Sequence, residues 1–265
     1  MSESTTASIV QCEMQDRVKW IYFNRPEVKN AIGPESTEMV REAIEAAPDE
    51  GARVIVLTGN GGAFCSGADL KNMSPRLAEL SGVGEVLRKY YHPMVLSMVR
   101  SPLPVIAAVD GAAAGIGSDV ALAADLRLVS ERAFFSEIFV NISLIPDGGG
   151  TFNLPRLVGV ARAMEMAMTG CRVTAQEALA WGLANRIFPD DQFDRDVQDF
   201  AAELAEKAPL SIARSKKAIR ASLAGTLEDA LEREAALQEE LFGSADFQEG
   251  VAAFLEKRPP VFKGA

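Results

Sequence analysis

Three glycine-rich segments lie next to predicted strand ends, and two of them carry an aspartate that could act as an acid or a base. The segments span residues 59–67, 111–117 and 147–150. Glycine reaches backbone angles that other residues avoid and lets a ligand approach the main chain closely. Asp119 follows the second segment and Asp147 opens the third. Each segment alone could equally be an ordinary turn, so both interpretations stay open at this point.

The glycines match neither of the common nucleotide-binding patterns. Gly62 and Gly67 have the spacing of a phosphate loop, but Ala68 stands where that pattern requires lysine. The dinucleotide fingerprint fails because Phe64 and Val120 occupy the position of its last glycine. A Rossmann-type enzyme is therefore not expected.

One histidine and three scattered cysteines restrict the remaining chemistry. His92 alone cannot build a His-rich zinc site, and no GxSxG elbow presents a serine for a Ser–His–Asp triad, so no metal site is expected. Cys12, Cys65 and Cys171 form no CxxC pair, which favours a reducing cytoplasm as the compartment. Cys65 and Ser66 could suggest covalent acyl transfer, but the sequence places no general base beside them.

The composition is that of a globular chain with a negative overall field. Of 265 residues, 48% are hydrophobic and 24% charged, and the formal net charge is −10. Nucleic acids and anionic membranes both need Lys and Arg to neutralise phosphates, so neither is an expected partner. A small phosphorylated ligand needs only a local basic patch. The polar start, MSESTTAS, does not resemble a secretory signal, and no apolar stretch is long enough to span a bilayer.

Hydrophobic patterning predicts an α/β region followed by a helical one. Strands are expected at residues 18–23, 53–59 and 103–109 and in the segment LRLVS, and helices at 34–47 and 79–99, with a further helix starting at ADLKNM. Helices dominate from Ala175 onward, in QEALAWG and at 193–207, 210–222, 227–241 and 247–256. We therefore predict a core over residues 1–195 and a C-terminal helical region over residues 196–265.

The order of the motifs resembles the crotonase superfamily, also called the enoyl-CoA hydratase/isomerase family. The motifs are AFCSGADL (63–70), PVIAAVDGAAAGIGSDVALAAD (104–125) and LIPDGGGTFNLPRLVG (144–159), and the similarity continues to EGVAAFLEKRPPVF near the C-terminus. The stretch from Ala113 to Pro155 looks most like the phenylacetate-pathway enoyl-CoA/epoxyphenylacetyl-CoA isomerases. The resemblance implies a spiral of ββα units, with a helical C-terminal region that packs a homotrimer or a dimer of trimers.

The resemblance also implies an oxyanion hole. Its donors would be the backbone N–H groups of Ala68, in the GAD motif, and of Ile116, where many relatives have glycine. Two fixed donors would stabilise the negative charge that a thioester carbonyl gains when a neighbouring carbon is deprotonated. Each such donor is typically worth roughly 10²–10³ in rate.

Among the acids, the resemblance favours Asp147, which matches the aspartate that phenylacetate-type and dienoyl-CoA isomerases use as acid/base. The two glutamates of the hydratases match Asp119, a shorter acid, and Phe139, which cannot transfer a proton. Glu137 would share a face with Phe139 if this segment were a strand, so it stays open as a replacement. His92 lines up with a histidine of the 4-chlorobenzoyl-CoA dehalogenases.

Coenzyme A would enter only as part of the substrate, and no other cofactor is expected. The resemblance implies that it contacts the loop from Ser66 through Ala68, Asp69 and Leu70 to Lys71, with Ile116 and Phe139 beside the acyl group. Its phosphates could meet Arg25, Lys29, Lys71 or Lys257.

The leading hypothesis is double-bond isomerisation of an acyl-CoA thioester, with Asp147 as acid/base and Asp119 as an auxiliary acid. Hydration by Asp119 and Asp147, acyl-CoA hydrolysis and dehalogenation are alternative reactions. A catalytically weak CoA-binding protein is the non-enzymatic alternative, motivated by Phe139 at a usual acid position.

Overall fold

The computed structural model describes residues 8–71 and 82–265, and nine strands form two sheets within that part of the chain. The strands are β1 (Val10–Gln15), β2 (Val18–Phe23), β3 (Val54–Gly59), β4 (Val105–Val109), β5 (Ala112–Ala114), β6 (Leu126–Ser130), β7 (Phe134–Ser136), β8 (Arg172–Thr174) and β9 (Arg186–Phe188). The larger sheet has the order β1-β2-β3-β4-β6-β9, and the smaller one β5-β7-β8. The larger sheet is parallel except for β1, which runs antiparallel to β2.

Helices flank the larger sheet and make up most of the C-terminal quarter. They are α1 (Pro34–Ala46), α2 (Val83–Val86), α3 (His92–Arg100), α4 (Ile116–Ala123), α5 (Gly150–Thr169), α6 (Ala175–Trp181), α7 (Phe193–Ala205), α8 (Pro209–Ser222), α9 (Leu227–Phe242) and α10 (Ala245–Glu256). A π-helical turn, Leu87–Tyr91, joins α2 to α3, and short 3-10 helices lie at Pro26–Val28 and Ile138–Ile142. In the described part of the chain, no helix combines the length and apolar character needed to cross a membrane.

The two faces of the larger sheet are buried in different cores. Ile55 and Leu57 of β3 belong to the main core, which α1, α3 and α4 help to form. Val54 and Val56 point to the opposite face, as alternation along a strand requires, and pack with α7. A strand buried on both sides explains the continuous apolar run VIVL that the sequence shows there.

The four strands predicted from the sequence are confirmed. Five further strands in the described residues were not predicted. Four of these, β5, β7, β8 and β9, have only three residues, too few to show a periodicity, and β1 is an exposed, mostly polar edge strand. Helix α5 was also missed, because Pro155 and a break at Gly159 (φ 78°, ψ 162°) interrupt its pattern.

The predicted helix at 79–99 is helical from Val83 onward, and the described Gly82 is a bend that precedes it. Residues 79–81 lie outside the described part, and helical structure continues from Val83 to Arg100. In ADLKNM, Leu70 and Lys71 are helical, and the last two residues of that motif are likewise outside the described part.

The predicted boundary between the core and the C-terminal helical region, at residue 195, falls within helix α7. Its apolar side chains Phe193, Val197, Ala201 and Ala205 are buried against β2, β3, β4 and β6. The remaining C-terminal helices, α8 to α10, keep much larger exposed apolar surfaces, including Leu227 at 70%, Phe254 at 83% and Leu255 at 74% exposure.

Gly117 lets helix α4 approach the loop at Cys65. A Cβ on Gly117 would lie 2.4 Å from the Cys65 carbonyl oxygen and 2.7 Å from the Cys65 Cβ. The carbonyl oxygen belongs to the backbone and cannot move away independently, so only glycine fits this contact.

Gly117→Ala should therefore lower the free energy of unfolding by about 1–3 kcal/mol, the usual cost of overpacking a core. Urea unfolding monitored by circular dichroism measures the effect. Gly243→Ala is the matched control, because Gly243 has φ −80° and a Cβ there would be 3.7 Å from its nearest neighbour, the Glu240 carbonyl. That control should change stability by less than about 0.5 kcal/mol, and equal effects of the two substitutions would contradict the packing argument.

Candidate active site

The amide of Ala68 is aimed by a single parallel bridge to Ile32. The Ile32 N–H donates to the Gly67 carbonyl at 2.9 Å, and the Asp69 N–H donates to the Ile32 carbonyl at 2.8 Å. Ile32 thus bonds to the Gly67 carbonyl and the Asp69 N–H, on either side of Ala68. The Ala68 N–H therefore points away from Ile32. Among the described residues, no acceptor contacts that N–H. Gly67 has φ 121°, which a residue with a side chain would adopt only with strain.

A second bridge places the amide of Ile116 beside the same loop. Cys65 pairs with Ala113: its N–H donates to the Ala112 carbonyl, and the Ala114 N–H donates to the Cys65 carbonyl, both at 2.9 Å. The chain then turns at Gly115 (φ 54°) and enters helix α4.

Ile116 is the first residue of α4, so its N–H has no acceptor within the helix. The positive end of the helix dipole adds to its attraction for a developing negative charge. The two loops are in contact, since a Cβ on Gly115 would lie 3.9 Å from the Gly67 Cα. The Ile116 side chain is 2% exposed and points into the core.

Ala68 and Ile116 both line one cavity of about 260 Å³, which we call the central cavity. Most of its lining is apolar, and Asp147 is the carboxylate that the described residues contribute to it. Within the described residues, its lining side chains and loops belong to Ser66, Gly67, Ala68, Leu70, Val83, Val86, Leu87, Tyr91, Gly115, Ile116, Ile138, Phe139, Asn141, Ile142, Leu144 and Asp147.

A larger cavity of about 420 Å³ lies among the C-terminal helices, where Phe242, Phe254 and Leu255 are part of its mostly apolar lining. Size therefore does not identify the site. The central cavity is the better candidate because a carboxylate lines it together with two residues, Ala68 and Ile116, whose amides have no acceptor among the described residues.

Asp147 is half-buried at the wall of the central cavity. Burial raises the pKa of its carboxyl group, while His92 of helix α3 acts in the opposite direction. Its Oδ1 atom is buried and contacts no hydrogen-bond donor among the described residues. A carboxylate in such surroundings is a stronger base than one in water, which suits proton transfer to and from carbon.

Asp119 and Glu137 lie behind Asp147, outside the cavity lining, and both are fully buried. The Gly148 N–H donates to Asp119 Oδ2 at 2.6 Å, and the Ser118 hydroxyl donates to Glu137 Oε1 at 2.7 Å. The other oxygen of each carboxyl group has no partner in the described part of the chain. We call Asp119, Glu137 and Asp147 the carboxylate cluster.

The cluster favours protonated carboxyl groups. Burial first, and then the charge of Glu137, raises the pKa of Asp119 well above its usual range. Burial raises the pKa of Glu137 to about 7; the Ser118 hydrogen bond opposes this shift and the charge of Asp147 adds to it. Buried like charges repel one another, so the cluster retains protons at a pH where exposed carboxylates have lost theirs.

The segment around Glu137 is not a strand, which was the condition under which Glu137 would share a face with Phe139. Strand β7 ends at Ser136, and Ile138–Ile142 is a 3-10 helix. Phe139 consequently lines the cavity while Glu137 points into the buried cluster, so the two side chains do not share a face. The alternation rule failed here because the chain leaves the extended conformation after a strand of three residues.

Most of the predicted loop contacts are at the cavity, whereas the predicted cations are not. Ser66 and Leu70 line the cavity, but Asp69 is buried and pairs with Arg25 at 2.6 Å. Arg25 also donates to the Ala31 carbonyl, so its guanidinium is occupied by protein acceptors.

Lys29, Lys71 and Lys257 are exposed and lie outside the cavity lining. Lys29 and Lys257 both have left-handed backbone angles, and Lys257 caps helix α10. No group of three His, Cys, Asp or Glu residues within 8–71 and 82–265 is arranged to hold a metal ion.

Tyr91 is a site residue that the sequence analysis missed. It is 1% exposed, lines the central cavity, and its hydroxyl donates to the Ile32 carbonyl at 3.1 Å. It therefore braces the residue that aims the Ala68 amide. The π-helical turn places Tyr91 there, and a helical pattern read at 3.6 residues per turn does not reveal such a turn.

Comparisons with known proteins identify the family to which the chain belongs. The family described as enoyl-CoA hydratase/isomerase matches residues 13–265. A Rhodobacter capsulatus protein named "Probable enoyl-CoA hydratase" is 45% identical over 96% of this chain and 98% of its own. The 1,2-epoxyphenylacetyl-CoA isomerase of Escherichia coli K12 is 36% identical over 93% of this chain and 95% of its own.

The fold expected from the motifs is confirmed by solved structures. The crystal structure of an enoyl-CoA hydratase from Bacillus anthracis superposes with a TM-score of 0.92 at 31% identity, over 97% of this chain and 100% of that one. The spiral α/β architecture with its helical C-terminal region is thus the one that the resemblance implied.

The buried cluster should make the protein more stable at mildly acidic pH than at alkaline pH. An unfolded glutamate titrates near about 4.3, so the unfolded state loses the Glu137 proton first as the pH rises. The stabilisation from this proton is therefore complete at low pH and is lost as the pH rises through about 7.

Glu137→Gln, which carries no titratable group, should remove this contribution. Between pH 5 and pH 8 its free energy of unfolding should fall by roughly 2–3 kcal/mol less than that of the wild type. Urea denaturation at both pH values measures the difference. Glu206→Gln, at an exposed position, is the control; a wild-type pH dependence in Glu137→Gln would contradict the assignment.

Proposed function

Because the chain belongs to the enoyl-CoA hydratase/isomerase family, we propose that it moves the double bond of an enoyl-CoA thioester and that Asp147 carries the proton. The observation that supports this most is the central cavity itself. Among the described residues that line it, the amides of Ala68 and Ile116 and the carboxylate of Asp147 are the polar groups best suited to this chemistry. The two positions at which the hydratases have glutamates hold Phe139 and Asp119 in this chain. Phe139 has no acidic proton to transfer, and Asp119 lies behind the cavity wall.

The reaction needs one proton acceptor and one anion site. The thioester carbonyl oxygen accepts hydrogen bonds from the Ala68 and Ile116 N–H groups. An Asp147 oxygen takes a proton from the carbon at one end of the allylic system, and the electron pair of that C–H bond forms the enolate. Asp147 returns the proton to the carbon at the other end, and the electrons move back to form the shifted double bond. No water is consumed and the enzyme ends as it began.

The apolar lining fits an uncharged acyl group. Leu70, Val86, Leu87, Ile138 and Phe139 offer surface to a hydrocarbon chain or ring. They also exclude water from Asp147, which keeps its pKa raised and protects the enolate from competing proton donors.

For the coenzyme, we propose that backbone groups between Ser66 and Lys71 hold the pantetheine and adenine. With Arg25 paired to Asp69, the exposed Lys29, Lys71 and Lys257 remain as the cations for its phosphates. Coenzyme A enters as part of the substrate, and the proposed reaction requires no separate cofactor.

We further propose a homotrimer or a dimer of trimers in the cytoplasm. The exposed apolar side chains of α9 and α10, Leu227, Phe254 and Leu255 among them, support a subunit interface. The three cysteines are all free, as expected of a protein from a reducing compartment.

Replacing Asp147 tests the acid/base role. Asp147→Asn should lower kcat for conversion of a 3-enoyl-CoA to its 2-enoyl isomer by roughly 10²–10⁴, while thioester binding measured by calorimetry persists. Asp191→Asn, at an exposed position, should behave as wild type. Mass spectrometry of the product distinguishes the alternative reactions, since hydration adds the mass of water and hydrolysis releases free CoA. Full activity in Asp147→Asn would refute the role of Asp147.

Removing the Ile116 N–H tests the oxyanion donor. Proline is well tolerated at the first position of a helix, so Ile116→Pro deletes the amide hydrogen while allowing α4 to form. Its kcat should fall by roughly 10²–10³, the usual loss for one oxyanion donor.

Ile116→Ala is the matched control, because it removes the same side chain but keeps the N–H group. It should retain most of the wild-type kcat. Equal losses in the two variants would mean that the Ile116 side chain, and not its amide, matters to the reaction.

A further inference from the structure

Asp119 connects the two halves of the proposed site. It lies three residues after Ile116 on helix α4, and its Oδ2 atom accepts the Gly148 N–H at 2.6 Å. Gly148 directly follows Asp147. One side chain therefore links the helix that presents the Ile116 amide to the loop that presents the Asp147 carboxylate.

Gly148 and Gly150, which follow Asp147, pack closely against the Asp119 side chain. A Cβ on Gly150 would lie 2.0 Å from Asp119 Oδ1. A Cβ on Gly148 would lie 2.8 Å from the Asp119 Cβ and 2.5 Å from the Ile116 Cδ1. The loop can approach α4 this closely only because both positions lack a side chain. The Asp119 contact therefore also determines the position of Asp147 relative to α4.

The position of Asp119 suits a contact that holds the Gly148 amide rather than direct contact with a substrate. It is 0% exposed and is absent from the lining of the central cavity, whereas Asp147 is part of that lining. Burial raises the pKa of its carboxyl group most, and the charges of Glu137 and then Asp147 raise it further. A carboxyl group that stays protonated in the folded protein has nearly the shape and charge of an asparagine amide.

We propose that Asp119 is a positioning residue, which holds the Gly148 amide so that the Asp147 carboxylate keeps a fixed distance from the Ile116 amide. This inference rests on the proposed isomerase function and assigns Asp119 a different task from the auxiliary acid suggested by the sequence. What the site requires at position 119 is then an acceptor of the right length, not a proton.

Asparagine meets this requirement. Its carbonyl oxygen can accept the Gly148 N–H in place of Asp119 Oδ2, and its NH₂ group takes the position of Oδ1, which accepts no hydrogen bond from the described residues. Alanine provides neither contact and leaves the Gly148 N–H buried without an acceptor.

The test compares Asp119→Asn with Asp119→Ala in the 3-enoyl-CoA isomerisation assay. Asp119→Asn should keep kcat within about fivefold of wild type, whereas Asp119→Ala should lose about 100-fold, as expected when a base is displaced by about 1 Å. KM should change much less than kcat in both variants. The acidic limb of the pH–rate profile, which reports Asp147, should stay in place in Asp119→Asn.

Gly150→Ala provides a second variant that leaves Asp119 intact. Its Cβ would collide with Asp119 Oδ1 and should displace the same contact, so kcat should fall as in Asp119→Ala. Circular dichroism and thioester binding verify that each variant is folded.

Three results would overturn the proposal. A loss in Asp119→Asn as large as that in Asp119→Ala would show that a proton on Asp119 is required, since general acid–base groups contribute about 10²–10⁴ in rate. Wild-type kcat in Asp119→Ala or in Gly150→Ala would show that the contact is unimportant. Asp147→Asn in the same assay separates the two ideas: activity there refutes the isomerase mechanism, whereas the results at position 119 refute only the positioning role.

Discussion

The loop from Cys65 to Asp69 is fixed on both sides by single-residue bridges, and the rest of the site depends on this arrangement. Ile32 pairs with Ala68 on one side, and β5 pairs with Cys65 on the other. The two bridges supply four backbone hydrogen bonds of 2.8–2.9 Å, and the Ser66 N–H donates a further one to the Lys29 carbonyl at 2.9 Å. Because the loop is held through its main chain, its amide directions do not depend on side-chain rotamers. A site preorganised in this way needs little rearrangement when charge develops on the substrate.

The carboxylate cluster has the opposite character, since it places three acidic groups where charge is costly. Burial and mutual repulsion both disfavour ionisation, and the cluster contains two side chains, Asp119 and Glu137, that are completely shielded from solvent. Such a cluster keeps its protons to a higher pH than exposed carboxyl groups do, and the free energy of unfolding falls as the pH rises. Burial keeps the pKa of Asp147 raised, while Asp119 and Glu137 stay outside the lining of the cavity that the described residues form. This environment suits a base that must both take and return a proton.

The sequence predicted much of this molecule but not its local geometry. The buried strands β3 and β4 were evident because they are continuous β-branched or apolar runs, and the Ala68 and Ile116 loops were found through the order of their glycine motifs. Glu137 was misplaced because a strand of three residues ended before the alternation rule could apply. Tyr91 and the glycine contacts of Asp119 were missed because they arise from a π-helical turn and from close packing between distant segments. Neither leaves a periodic signal in the sequence.

The hydroxyl of Tyr91 connects one wall of the central cavity to the loop that carries the Ala68 amide. Tyr91 and the apolar residues Val83, Val86 and Leu87 lie on one continuous helical segment, and Ile32, which accepts the Tyr91 hydrogen bond, also aims the Ala68 amide. Under the proposed function, an acyl group in contact with this wall of the cavity would be coupled through Tyr91 and Ile32 to the Ala68 amide that binds its carbonyl oxygen. Discrimination among acyl chains of different length should then be expressed in how fast a bound substrate reacts more than in how tightly it binds.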